Sequence, residues 1–168
     1  MKTMKKILAF ALAGVMALAL LTGCGTGGSA SHKSIAKAMA DYDNGHERKT
    51  AITYTSSAEL DALLQTWAAD PRFEAVVKAV YTDDALPTIP SGSVPSDKVV
   101  YLYCGKYDKD AGKQAINLNA HSVRISGTSA LSLAAVRQIG LITTSFTDTN
   151  GEKVKVRFAV VVSDYPNP

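Results

Sequence analysis

Leu141-Ile142-Thr143-Thr144-Ser145-Phe146-Thr147-Asp148-Thr149-Asn150-Gly151-Glu152-Lys153-Val154-Lys155-Val156-Arg157-Phe158-Ala159-Val160-Val161-Val162-Ser163 is the stretch whose reading decides the fold. After Gly151, Val154, Val156, Phe158, Val160 and Val162 fall on one parity, and Lys153, Lys155 and Arg157 on the other. A period of two with one apolar side predicts a strand half buried against a core. Asn150-Gly151 is the preferred pair of a two-residue hairpin turn, since both central positions need positive φ. With those two residues as the turn, Asp148 is expected opposite Lys153, and Thr143, Ser145 and Thr147 are expected to share the face of Val154, Val156 and Phe158. Val160-Val161-Val162 is apolar on both parities, as a central strand requires.

Upstream, helical spacing takes over. Ser56 and Glu59 match a capping box, and Leu60, Leu63, Leu64, Trp67 and Ala68 make one apolar face of a helix over 57–69. That spacing assigns Trp67 to packing and not to a sugar-stacking surface. Asp70-Pro71 restarts the chain as N-cap and first helical position, and Phe73, Val76, Val77, Val80 and Tyr81 form a second face. Two amphipathic helices joined without a linker must bury against something larger, and the sheet is the partner available. Further strands are expected over 48–55, 98–104 and 114–118, with a break near 119–122 where the apolar parity changes. A helix capped by Ser34 is expected up to Tyr42, and another over 130–139, capped by Thr128 or Ser129 and stopped by Gly140. The layout predicted is one α+β domain: a mainly antiparallel sheet of about four to five strands with helices packed on one face.

The amino terminus reads differently. Lys2, Lys5 and Lys6 precede an uncharged run over 7–21, and Leu21-Thr22-Gly23-Cys24 closes it. This is the layout of a secretory leader. Those four residues resemble the lipobox of bacterial lipoprotein precursors. The resemblance implies cleavage before Cys24, a diacylglyceryl group on its thiol and a further acyl chain on the freed amine. Two or more chains are what stable anchoring needs. The apolar run is shorter than the ~20 residues that span a bilayer. The expected organisation is a signal peptide over 1–23, a Gly/Ser/Thr-rich tether over 24–34 that holds the domain off the membrane, and a domain over 35–168. The expected location is the extracytoplasmic face of the cell membrane, with membrane contact through the lipid on Cys24 alone.

Removing the leader removes Lys2, Lys5 and Lys6, and with them the whole +3 formal charge of the 168-residue chain. The balanced remainder has no basic run of the kind that nucleic acid selects, so no nucleic-acid partner is expected. With Cys24 lipidated, Cys104 has no partner; alternation places it beside Val100 and Leu102 as a buried thiol.

No catalytic signature survives inspection. Asp41-Tyr42-Asp43-Asn44-Gly45-His46-Glu47 is rich in oxygen ligands but has His46 and Ile52 where a calcium loop needs Gly and Glu, and reads as a solvated turn. His32, His46 and His121 lack metal-ligand spacing. No G-x-S-x-G elbow surrounds a serine, and Tyr107 stands where a phosphate loop would place its first glycine. No catalytic residue, metal or cofactor is therefore expected. The leading expectation is a lipid-anchored binding module for an envelope protein or small ligand. Its contacts would lie on the loops 82–97 and 105–112, with Tyr107, Asp108 and Asp110 as candidate binding residues. The alternative is a small cell-envelope hydrolase whose site is assembled from residues distant in sequence.

Overall fold

A computed structural model describes residues 29–45, 50–90, 97–126 and 133–165. Cys24 and the leader lie outside them, as do parts of the 82–97 loop and of the expected 130–139 helix. Four helices and five strands occur among the described residues, and every one lies between Ser29 and Tyr165.

Strand β5 (Lys153–Ser163) runs through the middle of the sheet, whose order is β1-β4-β5-β2-β3. It pairs antiparallel with β4 (Val136–Thr147) and with β2 (Val99–Lys106), and β3 (His121–Ser126) flanks β2. β1 (Thr53–Ser56) pairs parallel with β4, the one exception in an otherwise antiparallel sheet. The apolar run at Val160–Val162 thus occupies the central position its two-sided pattern requires.

The helices cover both faces of the sheet, not one as expected. On the first face, α2 (Ala58–Ala68) and α3 (Phe73–Thr82) bury Leu60, Leu64, Trp67, Phe73, Val76, Val77 and Val80 against Val100, Leu102, Cys104, Phe158 and Val160. On the second, α1 (His32–Asn44) and α4 (Ala111–Asn119) bury Ile35, Met39, Ala115 and Leu118 against Tyr103, Ile139, Leu141, Ala159 and Val161. Alternate residues of one strand feed two cores, which is why the sheet carries apolar residues on both parities over its central length.

Local chemistry sets the ends. Ser57, one residue beyond the expected Ser56, accepts from Leu60 N and caps α2. Asp70 Oδ1 accepts from Arg72 N, so Asp70 shapes the corner between α2 and α3, although α3 itself starts at Phe73. Ser31, not Ser34, caps α1, and the described residues from Ser29 onward take in part of the stretch expected to be tether.

Three expected elements differ. Residues 114–118 are helical: Asp110 caps α4 through Lys113 N, and the 105–112 segment supplies the end of β2 and the start of that helix. The parity change near 119–122 is a helix giving way to β3, and His121 is the first residue of that strand. Residues 136–139, expected as helix, open β4, and Gly140 continues that strand where α2 crosses close above it.

The hairpin forms where expected but in a different register. Asp148 N donates to Glu152 O (2.9 Å) and Gly151 N to Asp148 O (3.2 Å), making a three-residue loop in which Gly151 alone is left-handed, at φ +82°. Thr147, not Asp148, therefore pairs with Lys153. The one-residue slip sends Ile142 and Phe146 to the first face with Val156 and Phe158, and leaves Thr143, Ser145 and Thr147 on the second face beside Arg157, Lys155 and Lys153. A β-carbon on Gly151 would meet nothing within 4 Å, so Gly151→Val tests backbone strain alone. The expected loss is about 1 kcal/mol or more in urea unfolding; an unchanged midpoint would mean the left-handed position lies elsewhere.

Candidate functional site

The register determines what the second face offers at its hairpin end. Cross-strand pairing sets Ser145 beside Lys155 and Thr147 beside Lys153. A shallow open groove of about 400 Å³ is lined by Thr143, Thr144, Ser145, Lys153 and Lys155. Both lysines are exposed. Ammonium and hydroxyl donors on one face suit an anion, since an ammonium only donates and hydroxyls turn to donate as needed.

On the other side of β5 from these hydroxyls, Lys155 meets Tyr107, which follows β2 and bonds through its amide to Lys155 O (3.0 Å). Lys155 Nζ lies 4.0 Å from the ring centroid and the Arg157 guanidinium carbon 5.3 Å, so two cations lie against one aromatic ring. Tyr107 Oη donates to Ser29 Oγ (2.9 Å), and Arg157 Nη2 donates to Ser29 Oγ (2.9 Å) and Ala30 O (3.2 Å). Ala30 N donates to Lys109 O (2.9 Å). The Ser29 hydroxyl, together with Lys155 and Arg157, holds the Tyr107 phenol below its ordinary pKa.

Arg157 is 3 % exposed, and no carboxylate among the described residues pairs with it. Its Nε has no hydrogen-bond partner. Burial pushes its pKa down, opposed by Tyr107. A buried cation compensated only by an aromatic face, a hydroxyl and a carbonyl leaves positive potential at this end of the sheet.

Of the three residues expected to bind, only Tyr107 belongs to this surface. Asp108 Oδ1 accepts from Asp110 N (2.8 Å) and Asp110 Oδ1 from Lys113 N (2.9 Å), so both carboxylates shape the entry to α4. Ser29, Thr143 and Ser145 were not expected beside Lys153 and Lys155. A hairpin loop of three residues instead of two would have placed Thr143 and Ser145 there, and no local pattern places Ser29.

The other titratable clusters are structural. Asp43, expected in a solvated turn, is 8 % exposed: its Oδ2 accepts from Arg137 Nη1 (2.7 Å) and Tyr54 Oη (2.8 Å). Burial, the largest cause, pushes the Tyr54 phenol far up, and that of Tyr103 to about 12. Cys104 is fully buried and its thiol is raised to about 12 by burial, so it packs and does not react while the protein is folded. Trp67 is a core residue. His32 Nδ1 meets Asp61 Oδ2 (2.9 Å) and His121 Nδ1 meets Asp83 Oδ2 (3.0 Å); neither histidine bonds a hydroxyl or thiol among the described residues. No group of three or more metal-ligating side chains occurs among the described residues. No described helix is long and apolar enough to cross a membrane.

The architecture is that of a three-layer α+β domain, with helices on either side of a five-stranded mixed sheet. No protein-family model, no curated protein and no solved structure matches the chain.

Proposed function

We propose that the chain is a lipid-anchored extracytoplasmic binding module, held by acyl chains on Cys24, whose recognition surface is the groove between Thr143, Ser145, Lys153 and Lys155. The observation that carries the reading is the register of β4 on β5, which gathers two exposed ammonium groups and a row of hydroxyls at the hairpin end of the sheet. Such a surface takes an anionic ligand, bearing phosphate or carboxylate, in preference to an apolar one. A hydrolase would need a base in contact with a nucleophile, and neither His32 nor His121 bonds a hydroxyl or thiol among the described residues.

The test combines fatty-acid labelling with photocrosslinking in cells. Labelled fatty acid is expected on the parent and absent from Cys24→Ala. A photocrosslinking residue at Thr143 is expected to give adducts that the same residue at the exposed Glu59 does not. Equal label in parent and variant would overturn the anchor; equal adducts at both positions would overturn the groove.

A further inference from the structure

The groove lies where the chain from Cys24 enters the fold, and that coincidence narrows what it meets. Ser29 is bonded to Tyr107 and Arg157, and Lys155 lies over the same Tyr107 ring. Five residue steps separate Cys24 from Ser29, a reach of at most ~18 Å at full extension. A domain whose entry point is confined so closely to an anchored Cys24 must present some face to the membrane. The described contacts place the Tyr107–Lys155 end beside that entry point.

We propose that the hairpin end of the second face, with Lys153 and Lys155 leading, rests on the anionic headgroups of the membrane that carries the anchor. This rests on the lipid-anchored reading and names the ligand of the groove as headgroup phosphate. The sequence pattern suggested contact through lipid alone because the charges of the mature chain balance. Balance over the chain does not exclude a local excess. Lys153 and Lys155 are two residues apart on one strand, so both ammonium groups point to the same side. Thr143 and Ser145 stand next to them as further donors, and the buried Arg157 cation, two residues further along the same face, adds positive potential. The carboxylates of the hairpin are Asp148 and the exposed Glu152: Asp148 Oδ1 accepts from Asn150 N and Glu152 N, and Glu152, one residue before Lys153, falls on the opposite parity from the two lysines; Asp108 Oδ1 accepts from Asp110 N. Two lysines alone bind an anionic surface weakly, and a tether of this length keeps them within reach of it, so the attachment turns a weak contact into a preferred orientation.

The test uses residues 24–168, which hold every described element, coupled through Cys24 to a maleimide phospholipid in vesicles. Buried Cys104 leaves Cys24 as the coupling site. Vesicles of phosphatidylcholine alone are compared with vesicles containing phosphatidylglycerol, and lysine acetylation is followed by mass spectrometry. Acetylation of Lys153 and Lys155 is expected to slow by about fivefold or more on the anionic vesicles and to recover in high salt, while Lys37 and Lys78 stay unchanged. Equal rates for Lys153 and Lys155 on the two vesicles, or equal slowing of all four lysines, would overturn the proposal. Because the attachment is chemical, the result does not depend on whether cells lipidate Cys24, which the fatty-acid label decides separately.

Discussion

Replacing Arg137 with methionine is expected to cost about 3–5 kcal/mol of stability, because it leaves the Asp43 carboxylate buried without its cation. Arg137 is 7 % exposed, and its guanidinium does several things at once. Nη1 donates to Asp43 Oδ2 (2.7 Å) and Tyr54 Oη (2.6 Å), Nε donates to Ala134 O (2.8 Å), and the group lies 5.2 Å from the Tyr54 ring centroid. These contacts join α1, β1 and β4 at one edge of the sheet. Removing a single partner costs far more than the pair contributes, since desolvation has already been met for both charges. The double replacement Asp43→Leu with Arg137→Met is accordingly expected to recover most of the loss. Urea unfolding of the two variants beside the parent checks both statements. A single variant within 1 kcal/mol of the parent would mean that the carboxylate reaches water or another cation when Arg137 is gone.

The second large effect is expected at Gly140. A β-carbon there would sit 2.5 Å from the Leu60 carbonyl carbon and 2.8 Å from Asp61 N. Backbone cannot swing aside as a flexible side chain can, so Gly140→Ala has to lift α2 from the sheet. Overpacking of this kind costs about 1–3 kcal/mol, and a backbone clash belongs at the upper end. Lifting α2 also withdraws Asp61, whose Oδ1 accepts from Leu141 N (2.7 Å) while Oδ2 meets His32. Reduced amide-exchange protection at Leu141, together with a lower unfolding midpoint, is the expected signature. Full protection at Leu141 would show that the helix accommodates the methyl group by another route.

The elements legible in the sequence were those whose pattern is set by one local period. α2, α3 and β5 each bury a single face or run through the centre, and their apolar spacing says so. α4 was read as a strand because Ile116 and Leu118 alternate, yet Ile116 is 56 % exposed. Gln114, which looks like an outward residue, is fully buried because its amide bridges Asp108 N and Lys106 O. That burial depends on a side-chain hydrogen bond that no hydropathy pattern carries. Likewise Asp43 reads as part of a solvated turn, whereas Arg137, far along the chain, gives it a buried partner. Gly140 read as a helix stop, while its actual constraint is the approach of another element.

The groove was hidden by a single residue of hairpin geometry. With a two-residue turn the hydroxyls of β4 face a core; with the three-residue loop they stand beside lysines. Tyr107 was legible as an aromatic residue on a polar segment, but the residues that make its surroundings were not, because they converge from the amino terminus, β4 and β5.

The attachment of Ser29 and Ala30 also has a mechanical meaning. A pull on Ser29 from its amino-terminal side would meet Tyr107 and Arg157 first, and so would be shared between the segment that follows β2 and the central strand β5 before it reached α1. The junction there is a few side-chain hydrogen bonds, so it would give way before the strand ladders beyond it.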